Sequence, residues 1–281
     1  MIKSVEKCRD VTIIKMRDGS TLVIACDSLG GIGPKAGDAV KVPGYVVGRF
    51  TARVPLMEVM ATGATPVLLV DTLSVEMDPL GLEILRGIRD EVAAAGLEGA
   101  LEITGSTEEN IATVQTALGV TVIGSAPNAG ELRIGTSKPR DVVVCIGMPK
   151  VGCEVRLGDP ELADPGLIRQ LLQLDYIHDI LPVGSRGIEY EANVMAGTAG
   201  LGFRLLGRLL GRAPAPAMGH PQPIDLKKSA GPATCLLVSM PWEPCENELC
   251  RNLARLRQAV SRPVTPLGFL IVSEMKSHPR A

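Results

Sequence analysis

The chain has 281 residues, of which 46% are hydrophobic and 21% charged, so it carries enough apolar material for a buried core and too little charge for a disordered chain. Twenty-nine basic against thirty-one acidic residues leave a formal charge of -2, and only seven aromatic residues are present (three Phe, three Tyr, one Trp). This balance argues against nucleic acid as a partner, since there is neither a basic field nor a stacking platform. The seven cysteines are scattered without a C-x-x-C pair, which argues against a disulfide framework. The amino terminus lacks the apolar stretch of a secretion signal, and no apolar run reaches the roughly 20 residues of a membrane span. A cytoplasmic globular protein with no membrane partner is expected.

Two β-rich runs, Val11 to Arg17 and Ser20 to Cys26, flank Asp18-Gly19, the dipeptide of a type I′ hairpin turn. The second run empties into Asp27 and the glycine-rich stretch Gly30-Gly31-Ile32-Gly33-Pro34-Lys35. A further strand is expected near Val40 to Val47, then a helix over 49–62 with Phe50, Val54, Met57 and Ala61 at helical spacing. Pro66 to Leu73 reads as a buried strand with one carboxylate, Asp71. Pro79 to Ala95 reads as an amphipathic helix, closed by Gly96. Ala100 to Thr104 is a strand that meets Gly105-Ser106-Thr107. Beyond it, Ile111, Val114 and Leu118 predict another helix, and Ser106 with Glu109 matches a capping box at its start.

Strands are expected at Val120 to Gly124 and Asp141 to Ile146, with the polar segment 135–140 between them as a domain boundary. In the second half, helices are expected near Pro165 to Leu174, Glu189 to Gly197 and Leu201 to Leu210. Thr234 to Met240 and Leu267 to Val272 read as strands, and the Pro-rich segment 213–223 as a loop.

Three carboxylates, Asp27, Glu58 and Asp71, lie beside or within apolar runs, where an acid is costly unless it is paired or bound to a cation. Hard oxygen donors suit Mg²⁺, which takes one or two carboxylates and the phosphates of a substrate; a cap, a turn or a partner such as Arg49 or Arg53 explains each carboxylate singly. Gly30, Gly31, Gly33 and Lys35 form a turn whose backbone N–H groups and lysine suit phosphate oxygens, or else a plain surface turn. Gly105 to Thr107 at a helix start would cap that helix and also favour an anion. His178 beside Asp179 is a weaker candidate base, Cys235, Cys245 and Cys250 read as packed thiols, and Arg204, Arg208 and Arg212 read as a solvated helix face.

The order of these motifs, Asp27 with its glycine-rich turn, then MEVMATGATPVLLVDTL, then a strand ending in TGST, resembles the aminoimidazole ribonucleotide synthetase (PurM-like) superfamily. The resemblance covers roughly residues 20 to 150 and, in D-S-x-GGIG with ITGSTEEN, looks most like the α-ribazole kinase branch. It implies a two-domain α/β (α+β) fold: an amino-terminal domain over 1–139, whose mixed sheet forms a β-barrel with a second copy in a homodimer, and an α/β domain over 140–281. It implies ATP and Mg²⁺ as cofactors and a phosphotransferase that phosphorylates the 5′-hydroxyl of α-ribazole in cobamide salvage. Other members imply the alternatives of a thiamine-monophosphate kinase or aminoimidazole ribonucleotide synthetase activity, or of an ATP-binding maturation protein. On this resemblance Asp27, Glu58 and Asp71 hold the metal, and Asp71 and Asp27 are catalytic. Gly30, Gly31, Gly33, Lys35, Gly105, Ser106, Thr107 and Glu108 contact the nucleotide. Ser106 stands where the superfamily has an acidic residue, which leaves Glu108 or Glu109 as substitutes.

Overall fold

The structure is a computed structural model that describes residues 1–206, 224–244 and 250–273. Its first half is built on the hairpin that Asp18-Gly19 turns: β2 (Val11–Met16) and β3 (Thr21–Gly30) pair antiparallel. An additional edge strand, β1 (Ile2–Cys8), precedes them, and its exposed face gave no alternation to read. After the two-residue strands β4 (Ile32–Gly33) and β5 (Val40–Lys41) comes helix α1 (Gly44–Ala61). The expected strand through Val47 is therefore cut short. Pro43 is the cause: its ring cannot extend a ladder, and its carbonyl accepts the N–H groups of Val46 and Val47 to open the helix.

Strand β6 (Thr65–Leu73) is followed by a wide turn at Met77–Gly81 and helix α2 (Leu82–Ala94), so the amphipathic helix begins three residues later than Pro79. Strand β7 (Glu102–Thr107) then lies parallel to β6, completing a β-α-β crossover. The helix expected from Ile111 to Leu118 is absent. Glu109 accepts the N–H of Met77 instead of closing a capping box, Ser106 and Thr107 belong to β7, and Leu118 lies in β8 (Ala117–Ala126). Every second residue of β8 is buried, the period of a strand.

These strands form one open six-stranded sheet in the order β1-β2-β3-β8-β6-β7. No closed barrel is formed among the described residues. Helices α1 and α2 cover one face and enclose a core that includes Leu56, Leu69, Ile84, Ile88 and Val122. The other face carries half-buried side chains in register, among them Thr12, Ile24, Ile123 and Leu68.

The second half comprises β9 (Asp141–Gly147), α3 (Pro165–Leu172), β10 (Asp179–Pro182), α4 (Gly187–Thr198), β11 (Leu201–Leu205), β12 (Cys235–Pro241), α5 (Arg251–Ala259) and β13 (Val264–Val272). Its antiparallel sheet has the order β10-β12-β9-β13-β11, with α3 and α5 on one face and α4 on the other. Leu201–Leu205 is thus a strand rather than the start of a helix, since Phe203 and Leu205 take cross-strand partners Leu270 and Gly268. Arg208, Arg212, Cys245 and the segment 213–223 lie outside the described residues. Helix α1 is buried nearly all round because it serves both halves: Leu56 and Val59 pack on the first core, Met57 and Met60 on the second. Among the described residues, no helix is long and apolar enough to cross a membrane.

Candidate functional site

The antiparallel and parallel registers align four residues in one row across the first sheet. Asp27 on β3 pairs with Val120 on β8, Val120 with Asp71 on β6, and Asp71 with Gly105 on β7. Residues in register share a face, and Val120 is buried in the core beneath the helices. The two carboxylates therefore stand on the helix-covered face, one on each side of Val120 and about 10 Å apart, two strand spacings. Burial pushes both carboxyls above the ordinary range, opposed at Asp27 by the Ser28 N–H and at Asp71 by its own N–H and the charge of Arg89. Gly105 is glycine for a steric reason: a Cβ there would collide with the Asp71 carboxyl group.

Glu58 approaches from α1. Its Oε2 is buried without a hydrogen-bond partner, and its carboxyl is pushed up to about 9, first by burial and then by the charges of Asp10, Asp27 and Glu191. It faces a separate cavity of about 20 Å³, shared with Arg9, Asp10 and Thr62. Among the described residues, no three His, Cys, Asp or Glu side chains are grouped to hold a metal ion. The row nonetheless fits a divalent cation in one respect: Asp27 and Asp71 are half-buried or buried hard-oxygen donors facing one side, the Asp71 carboxyl group taking the space that a Cβ on Gly105 would fill.

The glycine-rich turn is pinned rather than loose. Gly31, at φ +72°, donates its N–H to the Thr116 carbonyl, and a Cβ on Gly33 would strike the side chains of Thr116 and Asp38. Buried Asp38 accepts from the N–H groups of Lys35 and Thr116 and from the Thr116 hydroxyl. Lys35 reaches away from the carboxylate row: its Nζ lies 2.5 Å from Glu76 Oε2 and 3.2 Å from the Thr113 carbonyl. Ser106 and Thr107 pair with Thr72 and Leu73 on the sheet edge, so they offer edge-strand groups and not a helix N-terminus. Glu108 is exposed and accepts the N–H of Asn110.

Beside Asp27 lies a cavity of about 370 Å³ between the halves. Val46, Val47 and Phe50 of α1 line it, with Ile32 and Val42 and, from the second half, Val155 and Pro232. Its walls are chiefly apolar and Asp27 is its carboxylate, a composition suited to a mostly apolar ligand with one polar group to orient. Sequence reasoning missed these lining residues because valines in a helix and in a loop read as ordinary core. His178 also differs from expectation: its Nδ1 lies 2.7 Å from Asp141 Oδ2, while Asp179 is taken by Arg9.

Residues 8–126 match the family described as AIR synthase related protein, N-terminal domain. A search of curated proteins finds no match. Among solved structures, the chain is similar to thiamine monophosphate kinase from Aquifex aeolicus, with 16% identity, a TM-score of 0.58 and coverage of 96% of this chain and 90% of that one. It is also similar to thiamine-monophosphate kinase from Stenotrophomonas maltophilia K279a, with 15% identity, a TM-score of 0.56 and coverage of 96% and 89%. T. maritima PurL complexed with ADP gives 15% identity and a TM-score of 0.64 over 97% of this chain and 43% of that chain. These likenesses establish a shared mixed α/β fold.

Proposed function

We propose that this chain, with its AIR synthase related N-terminal region, is an ATP- and Mg²⁺-dependent phosphotransferase whose acceptor is the 5′-hydroxyl of α-ribazole. The observation that carries the reading is the row Asp27, Val120, Asp71, Gly105, which sets two carboxylates on one face beside an apolar cavity. Phosphoryl transfer needs in-line positioning and charge neutralisation more than covalent chemistry, and this row offers the acidic half of that arrangement.

Asp27 and Asp71 would hold Mg²⁺, with Glu58 as a third carboxylate within reach of the charge of Asp27. The cation would supply neutralisation of the triphosphate. Asp71, seated over Gly105, orients the accepting hydroxyl, and Asp27 has a second role at the mouth of the apolar cavity, where the flat base of a nucleoside would lie. The pinned turn at Gly30, Gly31 and Gly33 would let a nucleotide come close to the backbone, where no side chain intervenes, and Lys35 would reach it by leaving Glu76. Gly105, Ser106, Thr107 and Glu108 add contacts from the sheet edge. A second copy, covering the outer face on which Ile24 and Ile123 stand, would complete a homodimer in the cytoplasm.

The test is ADP release by the purified chain with ATP and Mg²⁺, in parallel with α-ribazole, thiamine monophosphate, formylglycinamidine ribonucleotide and no acceptor. Stimulation by α-ribazole with a phosphorylated nucleoside in the mass spectrum supports the reading. Stimulation by another acceptor alone reassigns the substrate. Mg²⁺-dependent ATP binding without ADP release favours an accessory protein, for which Ser106 in place of an acidic residue is the relevant feature.

A further inference from the structure

The cavity beside Asp27 has walls of two kinds. The first half supplies Asp27 on β3 and Val46, Val47 and Phe50 on α1, whereas the second half supplies Val151, Gly152 and Val155 on one connecting segment and Gly231 and Pro232 on another. The first of these segments, residues 151–158, lies between β9 and α3 with its ends clamped together: Lys150 Nζ is 2.6 Å from Asp159 Oδ2 and 2.6 Å from Glu161 Oε2. A short run of chain between closed ends is a surface strap of the Ω type.

Base and tip of the strap are held differently. At the base, the buried Thr234 hydroxyl accepts the Lys150 N–H at 2.9 Å and lies 3.2 Å from the carbonyls of Lys150 and Ala230, so it pins both second-half walls at one point. Beyond the base, the backbone hydrogen bonds of the strap stay within it among the described residues: Glu154 donates to the Val151 carbonyl, Val155 to Gly152 and Asp159 to Arg156. The Val151 N–H is held inside as well, by Glu154 Oε2 at 3.2 Å. Among the described residues one side-chain hydrogen bond leaves the strap, from Lys228 Nζ to Glu154 Oε1 at 2.7 Å, and Lys228 belongs to the segment of Gly231 and Pro232. The side chains of this pair are 31% and 46% exposed, so water and salt weaken it.

The strap can therefore swing as a unit. Opening breaks one solvated ion pair and no backbone hydrogen bond to the rest of the described chain. Gly152 at φ +60° and Gly158 at φ +82° stand near its two ends, and a Cβ on either would meet open space, so rotation there is unobstructed. The inner side of the strap is apolar: Val151 and Val155 face the cavity, and Val151 is still 42% exposed, surface that a ligand lying on Asp27 would cover.

We infer that residues 151–158 are a lid over the cavity beside Asp27, hinged at Lys150 and Asp159 and latched by the Glu154–Lys228 pair. The inference rests on the reading of that cavity as the place of an apolar ligand, and not on the reaction proposed for it. A ligand that needs the latched form binds more weakly as the latched fraction falls, so the pair governs affinity although neither partner lines the cavity.

The experiment is amide hydrogen exchange of the full chain, read by mass spectrometry on peptides covering 151–158 and the buried strand β9, with and without benzimidazole as the probe and with calorimetry of its binding. The variants are Glu154→Gln, which keeps an oxygen for the Val151 N–H, and Lys228→Gln, which lies outside the strap. The strap is expected to exchange faster than β9 in the unaltered chain. Each variant should speed strap exchange by about two- to fivefold with β9 unchanged, and the double variant should add nothing further. Benzimidazole should slow strap exchange, and the variants should bind it more weakly by no more than the same factor. Strap exchange as slow as that of β9, or unchanged by Lys228→Gln, overturns the lid, as does benzimidazole binding that leaves strap exchange unaltered. Latch effects in the variants without any heat from benzimidazole support the lid and count against the proposed acceptor.

Discussion

Asp27 and Asp71 share a face because each is in register with Val120, and the space that Asp71 occupies exists because position 105 has no side chain. Replacing Asp27 by Asn keeps size and shape while removing the charge, so turnover should fall by about 100-fold or more with the fold unchanged by circular dichroism. Gly105→Ala places a methyl group against the Asp71 carboxyl, an overpacking that costs roughly 1–3 kcal/mol in a urea titration and removes more activity than the lost folded fraction explains. Glu191 gives a pH dependence of stability. Burial, and then the charge of Asp10, push its carboxyl up to about 7 against an ordinary 4.5. The folded state holds that proton more tightly, so the stabilisation is complete below pH 4.5 and lost as pH rises through 7. Glu191→Gln should therefore raise the melting midpoint at pH 8, by on the order of 1 kcal/mol in stability, and change it little at pH 5. The candidate carboxylates were legible in the sequence because an acid inside PVLLVDTL is costly. Their relative placement was not, because it depends on pairing β3 and β6 through β8, which lies more than forty residues beyond Asp71.

The elements that sequence periodicity placed well are those whose pattern had a single reading. The Asp18-Gly19 hairpin, the strand at Pro66 to Leu73 and the core of α1 fall where the residues indicate. Ile111, Val114 and Leu118 misled because spacings of three and four residues in a short polar segment fit a helix, whereas Leu118 is buried by strand alternation. Strand β1 left no signal, since an edge strand exposed on both faces has no alternation. The α1–α2 crossing was also invisible, although two glycines make it. A Cβ on Gly48 would strike the Ile84 carbonyl, and one on Gly87 the Tyr45 carbonyl and the Arg49 N–H, so the helices meet backbone to backbone. Gly87→Ala should lower stability by roughly 1–3 kcal/mol in urea denaturation, since backbone cannot yield as a side chain does. A neutral Gly87→Ala would show that the helices have room to separate.

Among the described residues, α1 and a buried ion pair link the two halves. Arg9, in the turn after β1, donates to both oxygens of Asp179 on β10 at 2.9 and 2.5 Å, with side-chain exposures of 5% and 0%. Arg9→Ala leaves Asp179 buried with only the Gly135 N–H and the Ser137 hydroxyl as donors, and should cost about 3–5 kcal/mol in unfolding free energy. At this scale the strand and helix patterns in both halves already indicated a mixed α/β protein, and the resemblance to the PurM-like superfamily pointed to the same fold class. The cavity between the halves needed coordinates, because its walls come from α1, the glycine-rich turn and loops more than a hundred residues away. Phosphoryl transfer to a nucleoside is the proposed role of this cavity and the carboxylate row. Its most direct test is ADP release with ATP, Mg²⁺ and α-ribazole, followed by mass spectrometry of the nucleoside. The account predicts Mg²⁺-dependent ADP matched by phosphorylated α-ribazole, both lost in Asp27→Asn. ADP release that ignores every acceptor, or that survives unchanged in Asp27→Asn, would contradict it.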